Sequence, residues 1–243
     1  MSRTAGADPS AGLLPRDLLA EVVGTGALVA AVVGSGAMAE RLSPSDIGLQ
    51  LFENAAATGA ALFVLIAVFS SVSRAHFNPM ITLVDAVDRR STWREPLGRI
   101  CAQLVGAVLG VLVANAMFEL PIAGPSSTVR DGVALLIAEV VATSGLAVVV
   151  FGLLRAGRTS LIAPAVGAYI AAAYFFTAST SFANPAVTVG RALTDSFAGI
   201  DPSSVPAFIC AQLLGGFLGW VLVLVLWPSS HASRTDEVEV DFA

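Results

Sequence analysis

His76-Phe77-Asn78-Pro79-Met80-Ile81-Thr82 and Phe182-Ala183-Asn184-Pro185-Ala186-Val187-Thr188 are two copies of one pattern. In each, an Asn-Pro pair follows a long apolar run and opens a second, shorter one. Asn is a favoured N-cap and Pro is tolerated in the first turn of a helix, so each box reads as a helix start. Residues 78–88 and 184–194, which follow, are too short to cross a bilayer and are expected to form re-entrant half-helices. A polar cap buried twice in an apolar chain needs a reason from the rest of the molecule.

Composition describes the surroundings. Of 243 residues, 56% are hydrophobic and 13% charged, with a mean hydropathy of +0.80, which is far outside the range of soluble domains. An all-α, polytopic membrane protein is expected, surrounded by membrane lipid. A spanning helix needs about 20 mostly apolar residues. Six stretches qualify: about 17–39, 48–72, 97–118, 132–154, 161–178 and 205–227. Residues 1–16 and 228–243 read as polar tails, the second acidic through Asp236-Glu237-Val238-Glu239-Val240-Asp241. That tail supplies part of the net charge of −5, so the charge gives no reason to expect nucleic acid as a partner. The 2 Cys do not suggest a disulfide framework. Arg16, the apolar run after it and Ala37-Met38-Ala39 imitate a secretory signal. The run is longer than a signal core and contains Glu21, so a retained helix is expected.

The halves resemble one another. Ala20-Glu21-Val22-Val23 returns as Ala138-Glu139-Val140-Val141, and Ile100-Cys101-Ala102-Gln103-Leu104 returns as Ile209-Cys210-Ala211-Gln212-Leu213. With the Asn-Pro boxes these make three ordered matches, so the body at 17–227 reads as a duplication with repeats at about 17–118 and 132–227. Three spans per repeat is an odd number, so the second repeat enters the membrane the opposite way up. All 13 basic residues are Arg. With both termini cytoplasmic, only Arg41, Arg130 and Arg191 fall outside, as the positive-inside rule favours.

Inversion supplies the reason for the buried caps. Half-helices entering from opposite sides and starting near the bilayer centre bring two N-termini face to face, each with unpaired N–H groups and about half a positive charge. Such groups are tolerated at that depth where they line a watery cavity. Asn78 and Asn184 would cap their helices and offer amide donors to a passing hydroxyl, while the opposed positive ends repel cations. A passive pore for small neutral solutes is expected, with no cofactor, no metal and no catalytic residue.

The paired boxes, the inverted repeats and a Glu near the start of the first and fourth spans resemble the aquaporin superfamily of water and solute channels. The resemblance covers about residues 17–227. It implies six transmembrane helices with two half-helices (the aquaporin fold), a homotetramer with a pore in each subunit, and a pore centre at Asn78-Pro79-Met80 and Asn184-Pro185-Ala186. Against the family pattern, Met80 stands where Ala is usual and is read as a flexible gap-filler beside the half-helix. Val187 stands where the family usually places the Arg of its outer filter. Spacing puts the remaining filter positions at Thr58, at Ser181 or Phe182, and at Ala172 or Tyr174. With Thr58 and Val187 small and uncharged, a constriction wider and less polar than a water filter is expected. The stretch from Ser181 to Ile200 is similar to bacterial channels associated with arsenic resistance, which implies arsenite, methylated arsenicals and glycerol-like polyols as solutes, and a bacterial plasma (inner) membrane.

Arg191 lies one helical turn past Val187, about 6 Å farther out, and is read as a vestibule residue that recruits polar or anionic solutes. An i,i+4 ion pair with Asp195 is the competing reading. At the other vestibule, His76 is expected to line the pore rather than gate it, and Asp85 to pair with Arg89 or Arg90. Arg74 is expected to snorkel to the surface. Glu21 and Glu139 are expected to accept hydrogen bonds from the facing loops. Cys101 and Cys210 read as small buried core residues, and Gly106, Gly110, Gly215 and Gly219 as sites of close helix crossing. Three alternatives compete with this reading: a water-selective or general glycerol channel, an ion-coupled transporter, which would need a midplane charge or cation site, and an intramembrane enzyme, for which no nucleophile and base pair stands out.

Overall fold

The computed structural model describes residues 13–89 and 92–228. Most of both polar tails lies outside the described residues, as do Arg3, Arg90 and Arg234. The helices in chain order are α1 Pro15–Leu42, α2 Ile47–Ser73, α3 Pro79–Asp88, α4 Arg94–Met117, α5 Val133–Arg155, α6 Ile162–Phe176, α7 Pro185–Arg191 and α8 Val205–Leu226. One 3₁₀ turn, Thr159–Leu161, leads into α6. Among the described residues there is no strand, and six helices are long and apolar enough to cross a membrane. The order long, long, short, long occurs twice.

Local chemistry explains the ends. Pro15 opens α1, and the Asp17 carboxylate reaches back to the Leu14 N–H at 3.2 Å. Asp46 caps α2 by accepting from the Leu49 N–H at 2.9 Å. The half-helix α7 stops at Arg191, short of the 194 expected from the sequence. There the Ala192 and Leu193 N–H groups turn to Val189 O and Gly190 O, a tightened last turn that redirects the chain.

The spans pack through glycine. A Cβ at Gly106 would collide with Val22 O, and one at Gly110 with Gly26 O, so α1 and α4 touch backbone to backbone. In the second half, Gly215 and Gly219 press on Val140 O and Ser144 O and do the same for α5 and α8. Gly59 and Gly167 join α2 to α6 across the halves, where a Cβ at Gly59 would stand 2.8 Å from Gly167 O. Helices in lipid gain little from burying apolar surface against one another, so close approach and dispersion carry this packing.

Cys101 and Cys210 are exposed, contrary to the expected core placement. The inward stripe of α4 runs through Arg99, Ala102, Gln103, Gly106 and Gly110, and that of α8 through Phe208, Ala211, Gln212, Gly215 and Gly219. The helix period turns both thiols away from these stripes.

Candidate functional site

At the centre the two half-helices meet N-terminus to N-terminus. Asn78 Oδ1 accepts from the Met80 N–H at 2.9 Å, and Asn184 Oδ1 accepts from the Ala186 and Val187 N–H groups at 3.0 and 3.2 Å. Each amide also crosses to the other box. Asn78 Nδ2 donates to Ala183 O at 2.7 Å, and Asn184 Nδ2 donates to Phe77 O at 2.8 Å. An amide nitrogen has two donors, so one N–H of each Asn is left for the lumen.

The crossing depends on an unusual backbone. Phe77 and Ala183, each just before its Asn, take φ of 48° and 47°. Arg74, Ala75, Thr180 and Ser181 are left-handed too, at matched places in the two loops. Non-glycine residues in that region cost of order 1–3 kcal/mol each and persist where the surroundings hold them. The holders are two fully buried carboxylates. Glu21 accepts from the His76 and Phe77 N–H groups at 3.2 and 2.9 Å, and Glu139 accepts from Phe182 and Ala183 at 2.9 and 3.0 Å.

Gln103 and Gln212 complete each support. Gln103 Nε2 donates to Glu21 and to Thr82 Oγ1, and Gln212 Nε2 donates to Glu139 and to Thr188 Oγ1. Both Gln stand at matched repeat positions, which alone assigns them no task. Their identity inside apolar helices was the available signal. The halves differ in charge: Arg99 pairs with Glu21 at 3.5 Å, whereas Phe208 stands at the matching place in α8.

One cavity of about 870 Å³ holds Asn78 and Asn184 together with Thr58, His76, Tyr174, Ser181, Phe182, Val187 and Arg191. Pro79, Met80, Pro185 and Ala186 are buried outside its wall, in the first turns of α3 and α7. Met80 fills the space against Gly216 of α8. Of the two registers open for the fifth span, Tyr174 lines the cavity, with its hydroxyl 3.3 Å from Thr58 Oγ1, while Ala172 is exposed. Ser181 and Phe182 both reach the wall, and the buried Ser181 Oγ has no hydrogen-bond partner among the described residues.

Arg191 is not paired with Asp195. It is only 2% exposed, its Nε–H donates to Ala198 O, and its Cζ lies 3.5 Å from the centroid of the Phe182 ring. Because α7 ends at Arg191, Asp195 has no place on the same helix. Asp195 instead accepts from the Ser127 N–H and hydroxyl, both at 2.9 Å. These bonds, the backbone one first, hold its carboxyl below the usual carboxylate range.

At the opposite end Asp85 pairs with Arg74 at 3.1 Å, with Glu95 3.8 Å from the same guanidinium nitrogen. The expected partner Arg89 is not the one used, and Arg90 lies outside the described residues. The left-handed cap at Arg74 turns that side chain back toward α3. His76 lines the cavity there, with Nδ1 3.2 Å from Thr82 Oγ1 and Nε2 3.9 Å from Asp85 Oδ2.

Residues 10–164 and 154–241 each match the family described as Major intrinsic protein. Over 214 residues the chain is 46% identical to Aquaglyceroporin AqpS of Rhizobium meliloti (strain 1021), covering 88% of this chain and 90% of that one. It is 30% identical over 216 residues to Aquaporin NIP1-1 of Zea mays, covering 86% and 74%. Among solved structures, that of the aquaglyceroporin from Plasmodium falciparum matches with a TM-score of 0.64 over 88% of this chain and 96% of that one, at 18% identity. That likeness is one of fold.

Proposed function

The chain belongs to the major intrinsic protein family, which consists of membrane channels rather than enzymes, and on that premise we propose that it is a passive, aquaglyceroporin-type channel with a wide filter. Its solutes are glycerol-like polyols, arsenite and methylated arsenicals, with some water. The observation that carries this reading is the single cavity in which both Asn amides, from half-helices meeting end to end, share a wall with Thr58, Tyr174 and Val187.

The free N–H of each Asn is a donor for a hydroxyl in transit. The two positive helix ends disfavour cations and hydrated protons at the same point. In the filter, Thr58, Tyr174 and Ser181 supply hydroxyls beside the apolar Phe182 and Val187, which suits compact neutral polyhydroxyl molecules. Undissociated arsenous acid has that chemistry, and so has glycerol. His76 lines the inner vestibule and Arg191 the outer one. The protein sits in a bacterial inner membrane with both termini cytoplasmic, supported by the Arg distribution, and works as a homotetramer.

Stopped-flow measurements on proteoliposomes, with glycerol and with water as the driving gradient, test the reading beside direct uptake of arsenite and a methylated arsenical. Solute permeability well above that of protein-free vesicles, unaffected by dissipating ion gradients, is expected. Fast water flux with no solute entry would overturn the wide filter, and uptake abolished by collapsing ion gradients would point to a coupled transporter.

A further inference from the structure

At the Arg191 end of the cavity, one residue, Phe182, gathers three charges, two on its ring and one on its backbone N–H. Phe182 carries Arg191 Cζ at 3.5 Å and Arg130 Cζ at 5.1 Å from its ring centroid, and its N–H ends on Glu139 Oε1. Two guanidinium groups therefore gather near one carboxylate. Both oxygens of that carboxylate are already engaged, Oε1 by Phe182 and Oε2 by Ala183 and Gln212. Among the described residues neither Arg191 nor Arg130 has an ion pair. Asp195 and Asp201 are turned to Ser127 and Ser203.

Arg191 has donors to spare at this place. It is nine-tenths and more buried, it lines the cavity, and its Nε–H alone is spent, on Ala198 O. Among the described residues its two terminal nitrogens have no acceptor, and they remain for the lumen. The Ser181 hydroxyl, one residue from Phe182, is buried on the same wall without a partner among the described residues. A fixed guanidinium edge recognises two oxygens of one group, and such charge-assisted bonds are about twice as strong as neutral ones.

We propose that Arg191, with Ser181, forms a binding site for a small monovalent oxyanion at this mouth of the pore; Arg130, which stacks on the same ring and donates to Gly199 O and Phe197 O, does not line the cavity and adds positive charge nearby. The two terminal nitrogens of Arg191 take two oxygens, and the Ser181 hydroxyl donates to the group as well. An anion held there occupies the path of neutral solutes and slows their entry. This consequence for flux rests on the channel reading; the binding itself does not.

Methanesulfonate is the probe, because it stays ionised near neutral pH and does not cross lipid as a neutral acid. Saturation-transfer NMR on its methyl protons, with the full chain in detergent and chloride as the balancing anion, is expected to show saturable binding. In Arg191→Gln the affinity is expected to fall about tenfold or more, as the loss of one charge-assisted bond implies. Arg191→Lys, which keeps the charge and loses the fork, should recover part of it. No binding in the wild type, or equal binding in Arg191→Gln, overturns the site. If Arg191→Gln does not fold, Ser181→Ala and Arg130→Gln decide, and unchanged affinity in both overturns it as well. In proteoliposomes, the glycerol permeability of the wild type is expected to fall saturably with external methanesulfonate. Binding without such inhibition overturns the anion's effect on entry. An absence of glycerol flux from the start overturns the channel reading and leaves the NMR result to judge the site.

Discussion

The Thr58 hydroxyl of α2 lies 3.3 Å from the Tyr174 hydroxyl of α6, and both side chains are buried on the wall of the cavity. The pair joins matched spans of the two halves where Gly59 and Gly167 let the helices close. Hydroxyls donate and accept, so this point of the wall serves a polyol in either sense. Its size matters more than its polarity if it borders a constriction. Thr58→Trp is expected to cut glycerol permeability by about tenfold or more, equivalent to a barrier raised by about 1.4 kcal/mol, with a smaller effect on water. Tyr174→Phe, which only removes the hydroxyl, should cost about 1 kcal/mol of stability or less and leave most glycerol flux. Stopped-flow permeabilities for both solutes check this, and a Thr58→Trp protein that passes glycerol as the wild type does would remove Thr58 from the filter.

Val187 lines the same cavity on α7, one turn before Arg191. Val187→Arg would place a second guanidinium beside the first, where the one carboxylate nearby, Glu139, already has both oxygens engaged. Narrowing and like-charge crowding act together, and polyol and arsenite entry should fall by about tenfold or more for each 1.4 kcal/mol added to the barrier. Water, smaller than either, should be the least affected. Uptake of arsenite equal to the wild type would show that the opening near Val187 does not limit passage.

What could be read before the structure was what a local rule governs. Asn78 and Asn184 follow from capping preference, Glu21 and Glu139 from the cost of a carboxylate in a span, and Gly106 and Gly215 from small-residue spacing. What escaped reading depends on where helices stop and how they are turned. Pairing of Arg191 with Asp195 required α7 to continue past Arg191, and it does not. Pairing of Asp85 with Arg74 required a left-handed residue after α2, which nothing but Gly ordinarily signals. Phe182 reads as a filter position by spacing, but nothing in the sequence signals the two guanidinium groups beside its ring.

The rotation of α4 and α8 gives a direct check on the fold. Both free thiols, Cys101 and Cys210, are exposed, so a membrane-permeant maleimide should label two sites per folded chain in detergent, counted by intact mass. Labelling that appears only after denaturation would place the thiols in the core and require a different rotation of both helices.

The two buried carboxylates should respond differently to the same substitution. Glu21 and Glu139 each hold two loop N–H groups and one Gln side chain, but among the described residues only Glu21 is in an ion pair, with the buried Arg99 at 3.5 Å. Glu21→Gln strips that partner from Arg99 and leaves a charge that Glu95, 3.3 Å away and half-exposed, compensates in part. Breaking a buried ion pair from one side costs about 3–5 kcal/mol, and the Glu95 contact should keep this case toward the lower value. Glu139→Gln removes a charge that has no ion-pair partner among the described residues. It keeps one good acceptor, so its cost should be nearer the roughly 1–3 kcal/mol of one unsatisfied buried N–H. Thermal unfolding in detergent should therefore rank wild type above Glu139→Gln and Glu139→Gln above Glu21→Gln. Glu139→Ala, which strands the Phe182 and Ala183 N–H groups together beneath a left-handed backbone, should fall below Glu139→Gln and lose solute flux. If Glu139→Ala unfolds at the wild-type temperature and conducts normally, the carboxylate is not what holds Ala183 O in place for Asn78.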